Sequence, residues 1–310
     1  MIKANESTNN TPEHKSQKDQ IKELTDRLEA GVQAVFESDN YKEYLKCMSK
    51  FHRYSVNNSL LIAMQRPGAT LVASYRNWEQ RHGRHVRKGE KGIKIFAPCI
   101  YNVELDEKDE NGNAKTVKRT GFRVTTVFDV SQTEGPELPS FGVDELTGDV
   151  RDYGKVFDAL VRISPVPVRF EDVPGNAKGY FSDAEKVIVL NTGMSQAQTI
   201  KTLLHEVSHA TYHSRNTGDF ALLPDRNHRE TEAESIAFVV GSALKIIDSS
   251  DYSFPYLASW ASDKDTKELK NSLERIRSAA DEMITEINRE LLKEQQRGAE
   301  TPARMDHWER

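Results

Sequence analysis

Leu203-Leu204-His205-Glu206-Val207-Ser208-His209-Ala210 is the stretch that decides how this chain is read. Ile200, Leu203, Leu204, Val207 and Ala210 recur at helical spacing and form an apolar stripe. Ser195-Gln196-Ala197-Gln198, just upstream, fits an S-x-x-Q capping box that would start the helix. On such a helix His205 and His209 stack on one face, so both imidazoles reach one ion at about 2.0–2.1 Å. Glu206 points alongside that ion, where it can take a proton from activated water. Two solvated histidines and a carboxylate would be the plainer reading of H-E-x-x-H. The stripe argues against it, because a buried His-Glu-His without a metal is costly.

Catalytic zinc takes three protein ligands and keeps one position open. Glu230-Thr231-Glu232-Ala233-Glu234 lies downstream, in a helix expected from about Arg229 to Ile247. Glu230 and Glu234 fall one turn apart on the same face. Glu230 is the assigned third ligand. Glu234 is placed to accept a hydrogen bond from a ligand imidazole, fixing its tautomer and raising its basicity. The reverse assignment stays open, as do Asp225 and His228. Tyr212 and His213, one turn past His209, could polarise a carbonyl.

Around this centre the patterns are mixed, and the expected fold class is α+β. Strands are expected at Val166–Phe170, Lys178–Ser182 and Val187–Leu190. Helices are expected at about Tyr153–Ile163 before them and Lys264–Glu294 after them. Upstream, helices are expected from Gln20, over Tyr41–Met48, after Asn57 or Asn58 as cap, and over Tyr75–Arg81. Ile93–Phe96 reads as a short strand, followed by Pro98. Tyr101–Glu104 and Phe122–Val130 read as strands flanking the hairpin loop Asp106–Lys118. Thr133–Gly148, with its Pro, Gly and acids, reads as a linker. The expected organisation is a disordered tail 1–19, a domain 20–135, a linker 136–150, a second domain 151–295 and a flexible tail 296–310.

The 310 residues are 37% hydrophobic and 29% charged, enough apolar content for a core. No apolar run approaches the ~20 residues of a membrane span, and the polar start lacks a secretory signal. A cytoplasmic protein is the expectation. Cys47 and Cys99 are too few for a disulfide framework or a cysteine zinc site. The net charge of −5 conceals an asymmetry: residues 41–100 hold twelve Lys/Arg against three Asp/Glu. A local basic excess on an acidic chain points to a polyanion partner. Phosphate-pairing cations and stackable aromatics suit single-stranded nucleic acid; a solvated basic face with Trp78 in the core is the plainer alternative.

Longer stretches carry a family resemblance. Gly179-Tyr180-Phe181-Ser182, Ile188-Val189-Leu190-Asn191, the H-E-V-S-H helix and the E-x-x-A-E turn together resemble the zincin-like metallopeptidase domain of ArdC-type antirestriction proteins. That domain is similar to the ImmA/IrrE metallopeptidases. The resemblance implies a small sheet packed on active-site helices, Glu230 as third zinc ligand, and an edge strand that pairs with extended peptide, matched to Val187–Leu190. Tyr54 to Ile62 (Y-S-V-N-N-S-L-L-I), Ala73 to Glu79, Arg87 to Gly92 and Val127 to Thr133 resemble the ArdC amino-terminal domain, which is associated with single-stranded DNA binding. Arg53, Tyr54, Asn57, Arg76, Trp78, Lys88 and Lys91 are the contacts chosen for that partner. The implied function is a DNA-associated zinc peptidase of mobile genetic elements, with a peptide or protein substrate. The alternatives are a single-stranded-DNA-binding antirestriction protein with structural zinc, and a regulatory protease that cleaves a repressor.

Overall fold

The computed structural model of the chain describes residues 16–36, 38–108, 114–138, 150–175, 177–214, 225–246, 254 and 265–300. The expected boundary near residue 145, the tip of the hairpin loop and the amino-terminal fifteen residues lie outside them. The architecture is α+β.

Helices form where apolar residues recur every three or four positions. Helix α1 (Gln17–Val35) buries Leu24, Leu28 and Val32, α2 (Ser38–Phe51) buries Tyr41, Leu45 and Met48, and α3 (Val56–Gln65) buries Leu60 to Ile62. Ser55 caps α3, its hydroxyl accepting from the Asn58 amide; the expected asparagine caps sit inside the first turn. After β1 (Val72–Ala73) come α4 (Tyr75–His82) and β2 (His85–Val86). Two long strands, β3 (Ile93–Lys108) and β4 (Ala114–Asp129), follow, and then β5 (Thr133–Glu134). The sheet order is β1-β4-β3, with β2 and β5 as a separate antiparallel pair. Pro98 does not stop β3. That strand lies at a sheet edge, where a residue without an N–H is tolerated. Asn58 anchors β3 to α3, donating to the Phe96 carbonyl and accepting from its amide, both at 2.9 Å.

The second half opens with α5 (Val150–Ile163) and a three-stranded sheet of β6 (Val168–Glu171), β7 (Gly179–Ser182) and β8 (Val187–Asn191). Its order is β6-β8-β7, parallel between β6 and β8 and antiparallel between β7 and β8. This corrects one expectation: Val187–Leu190 is the central strand, wholly buried, and β7 forms the edge. A strand read as a continuous apolar run is one covered on both faces. Helices α6 (Gln196–Tyr212), α7 (Arg226–Ala243) and α8 (Thr266–Glu300) complete the fold. Ser195 caps α6, but Gln198 turns its side chain to Thr202, so only half of the capping box forms. Gly179 matters to this packing. A Cβ there would lie 2.7 Å from the Val189 carbonyl and 2.9 Å from the Thr202 methyl, so glycine lets β7 lie close against β8 and α6.

One hydrophobic core runs continuously from α1 to α8. Helix α8 lines it with Leu269, Leu273, Ile276, Ala280, Met283, Ile287 and Leu291. It also ties to the turn after α2, where Asp281 bonds His52 at 2.7 Å and Arg277 donates to the His52 carbonyl at 2.8 Å. Tyr41 meets Ser235 of α7 at 2.8 Å, both buried. No helix among the described residues is long and apolar enough to cross a membrane.

Candidate metal centre

Helix α6 delivers His205, Glu206 and His209, and α7 packs against it to deliver Glu230. The two imidazole Nε2 atoms lie 3.0 Å apart, and the Glu230 carboxylate stands 3.4 Å from one and 3.6 Å from the other. Three potential ligand atoms thus fall within 4.8 Å of one another.

The opposite ring nitrogens explain that orientation. His205 Nδ1 lies 3.1 Å from Glu234, whose other oxygen pairs with Lys201 at 3.2 Å. His209 Nδ1 lies 3.1 Å from His213 Nδ1, and His213 Nε2 lies 3.2 Å from Glu232. An N–H from His209 to His213, and another from His213 to Glu232, satisfy the chain with one proton on each ring. Both Nε2 lone pairs then face the same point. Two neutral imidazoles and a carboxylate are a donor set suited to a divalent transition ion, so the residues present fit one.

Without an ion the two rings differ in charge. Burial opposes charge on His205, but Glu230 and Glu234 outweigh it and push its pKa up to about 10. Burial pushes His209 down to about 4 despite Glu230. Hydrogen bonds to both histidines hold Glu230 well below the usual carboxylate range. At neutral pH the metal-free pair therefore holds one proton where an ion would sit. Glu206 is only 8% exposed. Burial raises its carboxyl, and His205 and the Phe181 amide partly oppose that.

These groups line a cleft of about 610 Å³, walled by β7 on one side and the first turns of α7 on the other. The Asn191 amide donates to the Lys178 carbonyl, so Lys178, Tyr180 and Ser182 turn their backbone groups to β8. Gly179 and Phe181 alternate outward, as the hydrogen bond from the Phe181 amide to Glu206 requires.

Comparison with known proteins places both halves. Residues 15–128 match the model of the N-terminal domain of anti-restriction factor ArdC, and residues 162–254 match that of the IrrE N-terminal-like domain. The chain joins an ArdC-type domain to an IrrE-like domain. The crystal structure of antirestriction protein ArdC from plasmid R388, in its metal-free form, superposes with a TM-score of 0.53 at 21% identity. It covers 89% of this chain and 98% of that one. The Mn(II)-bound form gives 0.51 at 22% identity, covering 87% and 97%. An uncharacterized protein of Bacillus anthracis, pXO2-81, is 26% identical over 91% of this chain; the chain spans 54% of that relative's length.

Other predicted residues of the IrrE-like domain take different places. Asp225 caps α7, and His228 is buried against Glu232 and Ser272. The Tyr212 hydroxyl turns to α8, bonding the Ala279 carbonyl and Glu282, whereas His213 lines the cleft. Glu232 was not singled out from sequence. It is buried and bonded to His213, His228, Ser272 and Arg275. Burial alone would raise its pKa, yet those partners hold it far below the usual carboxylate range. Its place depends on Ser272 and Arg275 of α8, so no local pattern marks it.

On the ArdC-type domain the seven chosen contacts separate. Arg53, Tyr54 and Asn57 line one groove of about 570 Å³ with Phe96, Phe122 and Lys270. Phe122 is 62% exposed. Tyr54 is half committed, donating to the Val72 carbonyl at 3.4 Å. Trp78 is a correction. It is 0% exposed with its indole N–H on the Phe128 carbonyl at 2.8 Å, so it belongs to the core and stacks on no base. Arg76, Lys88 and Lys91 are exposed but do not line the groove. Arg84 and Arg87, part of the basic excess, instead clamp the carbonyls of residues 131–136. Phe122 and Lys270 were missed because their place beside α1 and α3 depends on long-range packing.

Proposed function

We propose that the chain is a divalent-metal-dependent peptidase, with Zn²⁺ as its ion, joined to a surface for single-stranded DNA, and that it serves antirestriction for a mobile genetic element in the cytoplasm. The convergence of His205, His209 and Glu230 at the floor of an open cleft, with Glu206 beside them, carries this reading.

An ion held by these three residues would supply Lewis acidity to a carbonyl and to water. Glu206 takes the proton of the attacking water and passes it to the leaving amine; its raised pKa suits a group that must do both. Glu234 and His213 hold the ligand imidazoles in one tautomer. The outward backbone groups of Gly179 and the outward carbonyl of Phe181, whose amide is held by Glu206, pair with an extended polypeptide along β7. The groove at Arg53, Asn57, Phe122 and Lys270 offers cations and an exposed ring to unpaired bases. The Mn(II)-bound relative supports a divalent ion and leaves its identity to metal analysis.

Glu206→Gln tests the reading. The variant keeps its metal content and loses about 10²–10⁴-fold in cleavage of an unfolded protein substrate, the usual worth of a positioned base. Undiminished cleavage would remove Glu206 from the role. Absence of cleavage by the parent protein would favour DNA binding around a non-catalytic ion.

A further inference from the structure

Two cations in the cleft have no task in the chemistry above. Arg226 and Arg229 line the same cavity as Glu206 and the three ligand residues. Arg226 lies one helical turn from Glu230, on the face that Glu230 presents to the metal site. Among the described residues, neither guanidinium pairs with a carboxylate. The one other acid of the lining, Asp183, is occupied by Lys186 at 2.7 Å and Ser214 at 2.6 Å. A divalent ion would balance Glu206 and Glu230, leaving two positive charges uncompensated among the described residues of the cleft wall.

We propose that Arg226 and Arg229 form a subsite for an acidic side chain of the polypeptide cleaved at this centre, an inference that rests on the peptidase reading. A peptide laid along β7 advances about 3.4 Å per residue. A helical turn rises about 5.4 Å. The recognised Asp or Glu therefore lies within about two or three residues of the scissile bond. Guanidinium forks pair carboxylates in two parallel hydrogen bonds, which adds direction to charge. A polypeptide is favoured over nucleic acid here because the opposite wall of the cleft is a strand edge with outward backbone groups.

The test measures binding without turnover, on metal-loaded full-length Glu206→Gln protein. Four extended peptides are titrated: one with a central Glu, one with a central Lys and one neutral, all with both ends blocked, and one neutral with a free carboxyl terminus. The blocked Glu peptide binds about fivefold or more tighter than the blocked neutral one, on the scale of one or two partly exposed ion pairs. Adding Arg226→Gln and Arg229→Gln brings the ratio towards one at unchanged metal content, and Arg226→Glu with Arg229→Glu turns the preference to a Lys peptide. Equal binding of the blocked Glu and blocked neutral peptides, a preference confined to the free terminus, or a preference surviving the double Gln change would overturn the subsite. Displacement of the Glu peptide by a single-stranded oligonucleotide, dependent on both arginines, would overturn it in favour of phosphate. Cleavage of an unfolded protein by the unmutated enzyme is scored separately, so loss of the peptidase reading and loss of the subsite give different results.

Discussion

The metal cleft and the basic amino-terminal surface were both reached from residue types, and the fold treats them differently. In the cleft, two histidines four residues apart on one helix meet a carboxylate from the next, with 3.0–3.6 Å between their polar atoms. On the amino-terminal surface, seven chosen residues divide among a groove, a hydrophobic core and exposed positions away from the groove. Helical periodicity converts spacing into a shared face, so a short motif carries geometry with it. Charge and aromatic content carry no such metric. An arginine can serve a phosphate or clamp a carbonyl, and a tryptophan can stack on a base or fill a core.

The largest effect separates those fates at Trp78. Trp78→Ala costs about 3–5 kcal/mol of stability, as expected for a buried indole, while single-strand affinity per folded molecule stays unchanged. Denaturant unfolding beside oligonucleotide titration checks this, and a selective loss of DNA affinity would return Trp78 to the interface. Next comes the support of the cleft. Glu232→Ala leaves His213, His228, Ser272 and Arg275 without their shared acceptor and costs about 2–4 kcal/mol. The Glu232 pKa is depressed in the fold, so its contribution is present above the unfolded carboxyl value of about 4.3 and fades as pH falls through the folded value. Unfolding curves of parent and variant therefore differ at neutral pH and converge only in strong acid. The smallest effects lie in the groove. Phe122→Ala and Arg53→Ala each weaken single-strand binding about fivefold, and only the arginine change lowers the salt slope, by about one phosphate contact. Equal losses from Lys88→Ala or Lys91→Ala would spread the interface beyond the groove.

Much of the helical framework was legible because α1, α2, α6 and α7 each pair an apolar stripe with polar neighbours. The convergence of His205, His209 and Glu230, the proposed ligands, was legible for the same reason. The order of the second sheet was not. The buried run Val187–Leu190 announces a strand but not which neighbours it has, and the edge role passed to Gly179–Ser182. The long β3–β4 hairpin was underestimated at Pro98, whose missing N–H is harmless only because that strand lies at an edge. Glu232, Phe122 and Lys270 owe their positions to contacts between elements far apart in sequence, which no local pattern encodes.

The central claim is that His205, His209 and Glu230 close on a single divalent cation. Calorimetric titration of metal-free protein with Zn²⁺ at pH 7, repeated in buffers of different ionisation enthalpy, tests it most directly. His205, pushed up to about 10, is protonated at that pH, and His209, pushed down to about 4, is not. The expected result is one ion per chain with release of about one proton, tighter binding as pH rises, and loss of the site in His205→Ala and Glu230→Ala. Binding that survives both substitutions, or the absence of any stoichiometric ion in the parent, would contradict the account.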